Sequence, residues 1–220
     1  MQEVTITYHK RDFWAKENLN YSRPHFRLEK AARLTNKIAG HRACDLLDVG
    51  CGPASLRGLL APNIHYFGID IAIQRPAPYL IQTDFVENTI GFGGKPFDLV
   101  IAQGVFEYVG KLQEAKFGDI QRILKSDGVF IVSYVNFDHC NRQIYWPYNN
   151  VQPFQAFRDS LSRHFHIKRY FATSHRWHHD EPRRFPMRAI QSHINLNVPL
   201  LSRLFAVEYF FVCTQKSPLS

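Results

Sequence analysis

An apolar run that breaks into two closely spaced glycines constrains this chain more than any other feature. The run is Leu46-Leu47-Asp48-Val49-Gly50-Cys51-Gly52-Pro53-Ala54-Ser55. Its first half reads as a buried strand and its end as the entry to a helix. Glycines at the junction allow backbone conformations closed to other residues and let the main chain approach a ligand. The start of the following helix is expected to add free N–H groups. A second landmark is Asp70, twenty residues after Gly50, at the end of the next apolar run. An acid there can accept hydrogen bonds from both hydroxyls of a ribose. The same arrangement serves NAD, but two residues separate the possibilities. The third glycine of the dinucleotide fingerprint is missing, because Ser55 stands in its place. Asp48, just before the glycines, is poorly placed beside a pyrophosphate and suits a ligand carrying an ammonium group.

Around this junction, strands and helices alternate, which predicts a parallel sheet covered on both faces. Helical spacing is predicted over Pro24 to Ala39, with Leu28, Ala31, Ala32, Leu34, Thr35, Ile38 and Ala39 on the buried arc. Glu29, Lys30, Arg33, Asn36 and Lys37 fall on the polar arc, and Gly40 is a natural stop. Strands are predicted at 45–49, 64–69, 79–82, 97–102, 129–135, 166–173 and 205–214, and a short helix at 54–60. Pro76 and Pro78 argue against a long helix between the second and third strands. Leu112 to Lys125 is predicted helical, with Leu112, Phe117, Ile120, Ile123 and Leu124 on one side, followed by a turn at Ser126-Asp127-Gly128. A further helix is expected from Pro153, as its first residue, to Phe165. Phe137 to Gln152 and Ser174 to Pro186 read as loops.

The chain's 220 residues suit one domain, and 45% hydrophobic residues can build a substantial core. The division expected is an N-terminal cap region at 1–40, a cofactor-binding core at 41–135, and acceptor-binding loops with the last two strands at 136–220. The polar start lacks a secretory apolar run, and the most apolar segment, Val198 to Cys213, is interrupted by Arg203 and Glu208. Neither a membrane anchor nor a disulfide framework is expected, so the four cysteines read as thiols and the location as cytoplasmic. The net charge of +8 favours anionic partners without identifying one.

The ordered set of motifs resembles the class I S-adenosylmethionine-dependent methyltransferases. Asp48-Val49-Gly50-Cys51-Gly52-Pro53 is similar to the first motif of that family, and Tyr66-Phe67-Gly68-Ile69-Asp70 to the second. Thr83-Asp84-Phe85 resembles the segment that meets adenine. Phe97 to Ala102 with Gln103-Gly104-Val105-Phe106-Glu107-Tyr108 resembles the fourth strand and its cofactor-facing loop. Leu124 to Gly128 is similar to the turn before the fifth strand. The resemblance covers roughly residues 45–135. It implies a Rossmann-like α/β fold: a seven-stranded, mostly parallel sheet with helices on both faces and the last strand antiparallel. It implies S-adenosylmethionine as cofactor. Gly50, Cys51, Gly52 and Asp48 would lie by its amino-acid part, Asp70 and Ile71 by the ribose, Asp84 and Phe85 by the adenine, and Gln103 and Gly104 by the methionine portion. Many relatives carry His where Tyr108 stands.

The cofactor motifs do not identify the acceptor, because methyl transfer needs mainly alignment. A base is required only where the nucleophile must lose a proton. By the resemblance, acceptor residues come from the N-terminal region and the loops after the fourth and fifth strands. Those hold Tyr8, Tyr21, His25, Tyr108, Asn136, Asp138, His139, Tyr145 and Trp146. His139, which titrates near neutrality, and Tyr21 are the expected catalytic residues. His175, His178, His179 and Asp180 could be read as metal ligands, but no further cluster has ligand spacing and no metal is expected. Arg176, Arg183, Arg184 and Arg188 could pair with a carboxylate or phosphate, or be solvated. With no spare binding module, the acceptor expected is a small molecule such as a sugar or secondary metabolite, methylated at oxygen or nitrogen. Two alternatives stay open: RNA methylation using the basic C-terminal third, and a non-catalytic cofactor-binding subunit. The sequence leaves the oligomeric state open.

Overall fold

The computed structural model describes residues 11, 14–15, 26–137, 152–175 and 206–216. In chain order these form helix α1 (Phe26–Ala39), strands β1 (Cys44–Val49), β2 (Ile64–Asp70), β3 (Leu80–Gln82) and β4 (Phe97–Ala102), helix α2 (Gln113–Ile123), strand β5 (Leu124–Val135), helix α3 (Phe154–His164), and strands β6 (Phe165–His175) and β7 (Ala206–Gln215). The seven strands make one sheet in the order β3-β2-β1-β4-β5-β7-β6. The pairs from β3 through β5 are parallel. The last strand, β7, is inserted between β5 and β6 and runs antiparallel to both.

Alternation along each strand divides the core into two layers. Leu46, Leu99, Ile131 and Phe210 face α1 through Ala31, Ala32 and Leu34. Leu47, Val100, Phe130 and Phe211 face the other side, where Phe117 and Ile120 of α2 and Phe157 and Leu161 of α3 cover them. The second layer is built on aromatics. Phe157 stacks on Tyr134 at 3.6 Å between ring centroids, and Phe106 stacks on Phe117 at 4.8 Å. Helices α2 and α3 are also tied by Glu114, whose carboxylate accepts from Ser160 and faces Arg163 and His164.

Several local expectations shift. The short helix after the glycines is one stretch of 3-10 helix, Ser55–Leu59. Asn36 of α1 holds it, donating to the Leu59 carbonyl and accepting the Ala61 N–H. Leu112 is 46% exposed, because it ends a separate 3-10 turn, Gly110–Leu112, and so leaves the phase of the helix that follows. The Ser126-Asp127-Gly128 turn lies within the span of β5, where pairing with β4 skips from Leu124 to Val129. Pro153 precedes α3 with extended backbone, and the helix itself starts at Phe154. Lys30, expected on the polar arc, is 3% exposed. No helix among the described residues is long and apolar enough to cross a membrane.

The Phe157 ring touches sheet and helix at once and is fully buried. Phe157→Ala should therefore cost roughly 3–5 kcal/mol, measured as a fall in the urea midpoint with an unchanged slope.

Candidate cofactor and acceptor site

The carboxyl ends of the parallel strands, joined by the start of β7, form one edge of the sheet. At that edge the glycine loop is held by its own backbone. The N–H groups of Gly50 and Cys51 both donate to the Ile69 carbonyl, at 2.8 and 3.0 Å, and the Ala54 N–H donates to the Cys51 carbonyl. The Gly52 N–H donates to Asp70 Oδ2 at 2.8 Å. The N–H groups of Gly50, Cys51, Gly52 and Ala54 are thus consumed inside the fold. A pyrophosphate would need those donors, whereas a ligand that offers hydroxyls and apolar surface does not.

Gly50 has φ of 72°, and a Cβ there would stand 2.5 Å from Val105 Cγ2. The loop after β1 and the loop after β4 therefore meet with no room for a side chain. Gly68 is constrained in the same way, since a Cβ would meet Cys51 Sγ and Leu80 Cδ2, each at 2.8 Å. The Cys51 thiol consequently lies beneath the loop, 8% exposed, with burial raising its pKa. Asp48 also turns inward. It is 6% exposed, accepts the Tyr66 hydroxyl at 2.8 Å, and is pushed up to about 7 chiefly by burial, with the nearby Asp70 adding to the rise.

Asp70 ends β2 with each carboxylate oxygen already accepting one backbone N–H, Gly52 on Oδ2 and Ala72 on Oδ1, both at 2.8 Å. A carboxylate oxygen can accept more than one hydrogen bond, so a carboxylate fixed in this way is suited to ribose hydroxyls. Ile71, half-buried, follows it. Asp84, after β3, accepts the Val86 N–H at 2.8 Å and shapes its own turn, while Phe85 packs edge-on to Phe106. Gln103 and Gly104 follow β4, both half-buried. Gly104 has φ of 66°, and its N–H donates to Ser133 Oγ at 2.9 Å. Asp48, Gly50, Cys51, Gly52, Asp70, Ile71, Asp84, Phe85, Gln103 and Gly104 thus share one edge, in keeping with an adenosyl ligand spread from β4 to β3. Trp14 and Ala15 reach the same edge. The Trp14 ring meets Tyr108 edge-on at 4.9 Å, and the Ala15 carbonyl accepts from Gln74.

Tyr8, Tyr21, His25, Asp138, His139, Tyr145, Trp146 and the cluster of histidines and arginines between 176 and 188 lie outside the described residues; of His175 the backbone alone is described. Asn136 is not free to meet an acceptor. Its side chain donates to the Ala206 carbonyl and its N–H to the Val207 carbonyl, closing β7 onto β5.

A charged cluster that sequence reasoning missed lies beside this edge. Arg27 and Lys30 come from the first turns of α1, Glu107 from the loop after β4, Thr173 from β6, and Glu208 from β7. Glu208, 2% exposed, accepts from Arg27 at 2.5 Å and from Thr173 at 2.8 Å. Lys30 donates to the Thr173 carbonyl at 3.1 Å, and burial pulls it down to about 8. Glu107 Oε1 accepts the Val135 N–H at 2.9 Å. Its Oε2 is buried with no hydrogen-bond partner among the described residues. Burial, followed by the charge of Glu208, raises Glu107 to about 8. The one sequence signal was Glu107 in the resembling loop; Lys30 reads as surface, and Glu208 as an interruption of an apolar run.

Comparison with known proteins agrees with this geometry. A family profile described as a methyltransferase domain matches residues 23–181. No curated protein sequence matches significantly. Among solved structures, the chain is similar to a TehB-like S-adenosylmethionine-dependent methyltransferase from Corynebacterium glutamicum, at 17% identity and a TM-score of 0.60, covering 94% of this chain and 98% of that one. It is also similar to an S-adenosylmethionine-dependent methyltransferase from Archaeoglobus fulgidus, at 18% identity and a TM-score of 0.60, covering 87% and 94%. A third is the N-methyltransferase NodS from Bradyrhizobium japonicum, solved with S-adenosylhomocysteine, at 10% identity and a TM-score of 0.53, covering 86% of each chain.

Two outcomes follow from the packing of this edge. Gly50→Ala adds a methyl where Val105 already sits and strains a positive φ, so stability should fall by about 1–3 kcal/mol; chemical denaturation reads this. Folded Glu107 keeps a proton that the unfolded chain has released, so its contribution to stability is complete below 4.5 and gone above about 8. Stability of Glu107→Gln relative to the parent should therefore rise steadily across that window, and a parallel pair of pH–stability curves would show that Glu107 does not hold the proton.

Proposed function

The chain belongs to the methyltransferase domain family, its methyl donor is S-adenosylmethionine, and we propose that it delivers the methyl group to an oxygen or nitrogen of a small molecule. The observation that carries the reading is the carboxylate of Asp70, locked by two backbone N–H groups beside a glycine loop whose Gly50, Cys51, Gly52 and Ala54 N–H groups are already bonded within the fold. Bound cofactor would supply an electrophilic methyl on a sulfonium. This chain's residues bind and orient: Asp70 takes the ribose hydroxyls, the turn of Gly50 and Gly52 admits the amino-acid part, and Asp84 and Phe85 border the adenine. Close approach of Val105 to Gly50 fixes the loops after β1 and β4 against each other, where they would hold the cofactor. Such alignment is worth roughly 7–11 kcal/mol in favourable cases.

The N-terminal residues act as a cap in this proposal. Support comes from Trp14 and Ala15, which bridge the loops after β2 and β4. His139 and Tyr21 remain the proposed acceptor-side residues, on loops around a rigid sheet where specificity commonly resides. A small-molecule acceptor accords with the single sheet and its short flanking helices, and the protein is proposed to work in the cytoplasm.

Two measurements test this. Formation of S-adenosylhomocysteine, followed with a panel of small hydroxyl and amine acceptors, should rise above the acceptor-free rate; a panel without effect, alongside methylation of RNA, would move the assignment to nucleic acid. Asp70→Ala should weaken S-adenosylmethionine binding by about 1.5–3 kcal/mol, the worth of hydrogen bonds to a charged acceptor. Unchanged affinity in a folded variant would remove Asp70 from the ribose site.

A further inference from the structure

Of all the buried polar atoms at the sheet edge, Glu107 Oε2 raises the sharpest question. Buried polar groups are almost always hydrogen-bonded, and an exception calls for a physical reason. The other oxygen of the same carboxyl is satisfied by Val135, so the side chain is fixed while half of it stays unmet. A second orphan, Ser174 Oγ, is buried at the end of β6, where Ser174 stands opposite Glu208 in the strand ladder. Glu208 is also the charge nearest in effect to Glu107. Both residues are thus linked to Glu208, Ser174 by ladder pairing and Glu107 by charge, at the edge that carries Gln103 and Gly104. Arg27 belongs to the same neighbourhood, since a Cβ on Gly104 would lie 3.7 Å from its Nη2.

We propose that Glu107 is the residue that receives the methyl acceptor, and that the acceptor group it receives is a primary or secondary amine arriving as its ammonium ion. This rests on the methyltransferase reading and names the substrate class for that same site. An ammonium offers N–H donors, and the ionised form of Glu107 has an oxygen left without a partner to accept one. Its positive charge also offsets two neighbouring carboxyls, where a neutral alcohol would not. Arg27 is engaged by Glu208 and offsets the charge at Glu107 only in part, since Glu107 stays raised, and Lys30 is engaged by the Thr173 carbonyl.

The amine must shed a proton before it can attack. Binding of the ammonium displaces to solvent the proton that Glu107 holds below about 8, and the resulting carboxylate then takes the proton from the ammonium, leaving the nitrogen lone pair free. The lone pair forms the new nitrogen–carbon bond as the carbon–sulfur bond of the sulfonium breaks, and its electrons pass to sulfur. The products are a neutral thioether, a methylated ammonium and a protonated Glu107. A carboxyl raised by burial toward the amine range makes the first proton transfer less uphill. Glu208 from β7 and Arg27 from α1 act on its charge; Lys30 from α1 acts on Glu208, and Glu107 in turn helps to raise Tyr134 of β5.

The test uses the full chain, saturated with S-adenosylhomocysteine as checked by calorimetry, with isotope-labelled glutamate carboxyl carbons observed by NMR. The Glu107 signal is the one that vanishes in Glu107→Gln, a change that keeps an oxygen for the Val135 N–H. Titration with methylammonium should lower its ionisation midpoint by about one unit, a tenfold loss of proton affinity. Tetramethylammonium, which has no N–H, and methanol, which has no charge, should leave the midpoint in place. Three results would overturn the proposal: a midpoint indifferent to methylammonium, an equal response to methanol, or an equal response to tetramethylammonium. Protein that fails to bind S-adenosylhomocysteine would remove the methyltransferase reading and this inference with it. Protein that binds it while Glu107 ignores methylammonium would remove this inference alone.

Discussion

The carbonyl of Ile69 accepts from both Gly50 and Cys51, and the next residue, Asp70, accepts from Gly52. Three successive N–H groups of the loop after β1 are thereby bound to the end of the neighbouring strand. That arrangement positions the rest of the edge. It holds Gly50 against Val105, so the loop after β4 cannot shift independently. It fixes the Cys51 thiol under Gly68, and it holds the Asp70 carboxylate in place at the end of β2. Buried backbone donors need partners somewhere. Here they find them within the fold, and a ligand is left to meet side-chain acceptors and apolar surface.

The acceptor half of the edge depends on a different constraint, the insertion of β7 between β5 and β6. Running antiparallel, β7 brings its first residues to the same edge as the last residues of β5 and β6. Glu208 therefore comes beside Thr173 and within reach of Arg27, which is 181 positions away along the chain. Asn136 seals this junction from β5. A buried carboxylate with a guanidinium, a hydroxyl and a nearby amine is costly to desolvate, and such a cluster is retained only where its geometry is well satisfied. Glu107 Oε2 and Ser174 Oγ, in this neighbourhood, are among the buried side-chain atoms that meet no hydrogen-bond partner among the described residues.

The cofactor half was legible in the sequence because its determinants are local. A strand, two glycines and an acid at the end of the next strand are written within about twenty-five residues, and Pro76 and Pro78 announced an irregular connection. Periodicity likewise placed each strand to within a residue or two, apart from β5, whose ladder takes in the Ser126-Asp127-Gly128 turn. It failed where burial is set by partners far along the chain. Lys30 carries a polar-face spacing, yet its ammonium finds the Thr173 carbonyl beneath the helix. Leu112 has an apolar identity and a helical spacing, but a 3-10 turn rotates it outward. Free N–H groups after the glycines were expected from the general behaviour of helix starts; the Ile69 carbonyl and the Asp70 side chain had already claimed those of the loop. Asp48, read as a partner for an ammonium, is instead bonded to Tyr66 beneath the loop.

Cofactor placement against this edge is the central claim, and a crystal structure with S-adenosylhomocysteine bound tests it most directly. The ribose hydroxyls should lie within hydrogen-bonding distance of Asp70, the adenine by Asp84 and Phe85, and the sulfur beside Gly104. A ligand seated elsewhere, or a ribose that leaves Asp70 untouched, would contradict the account.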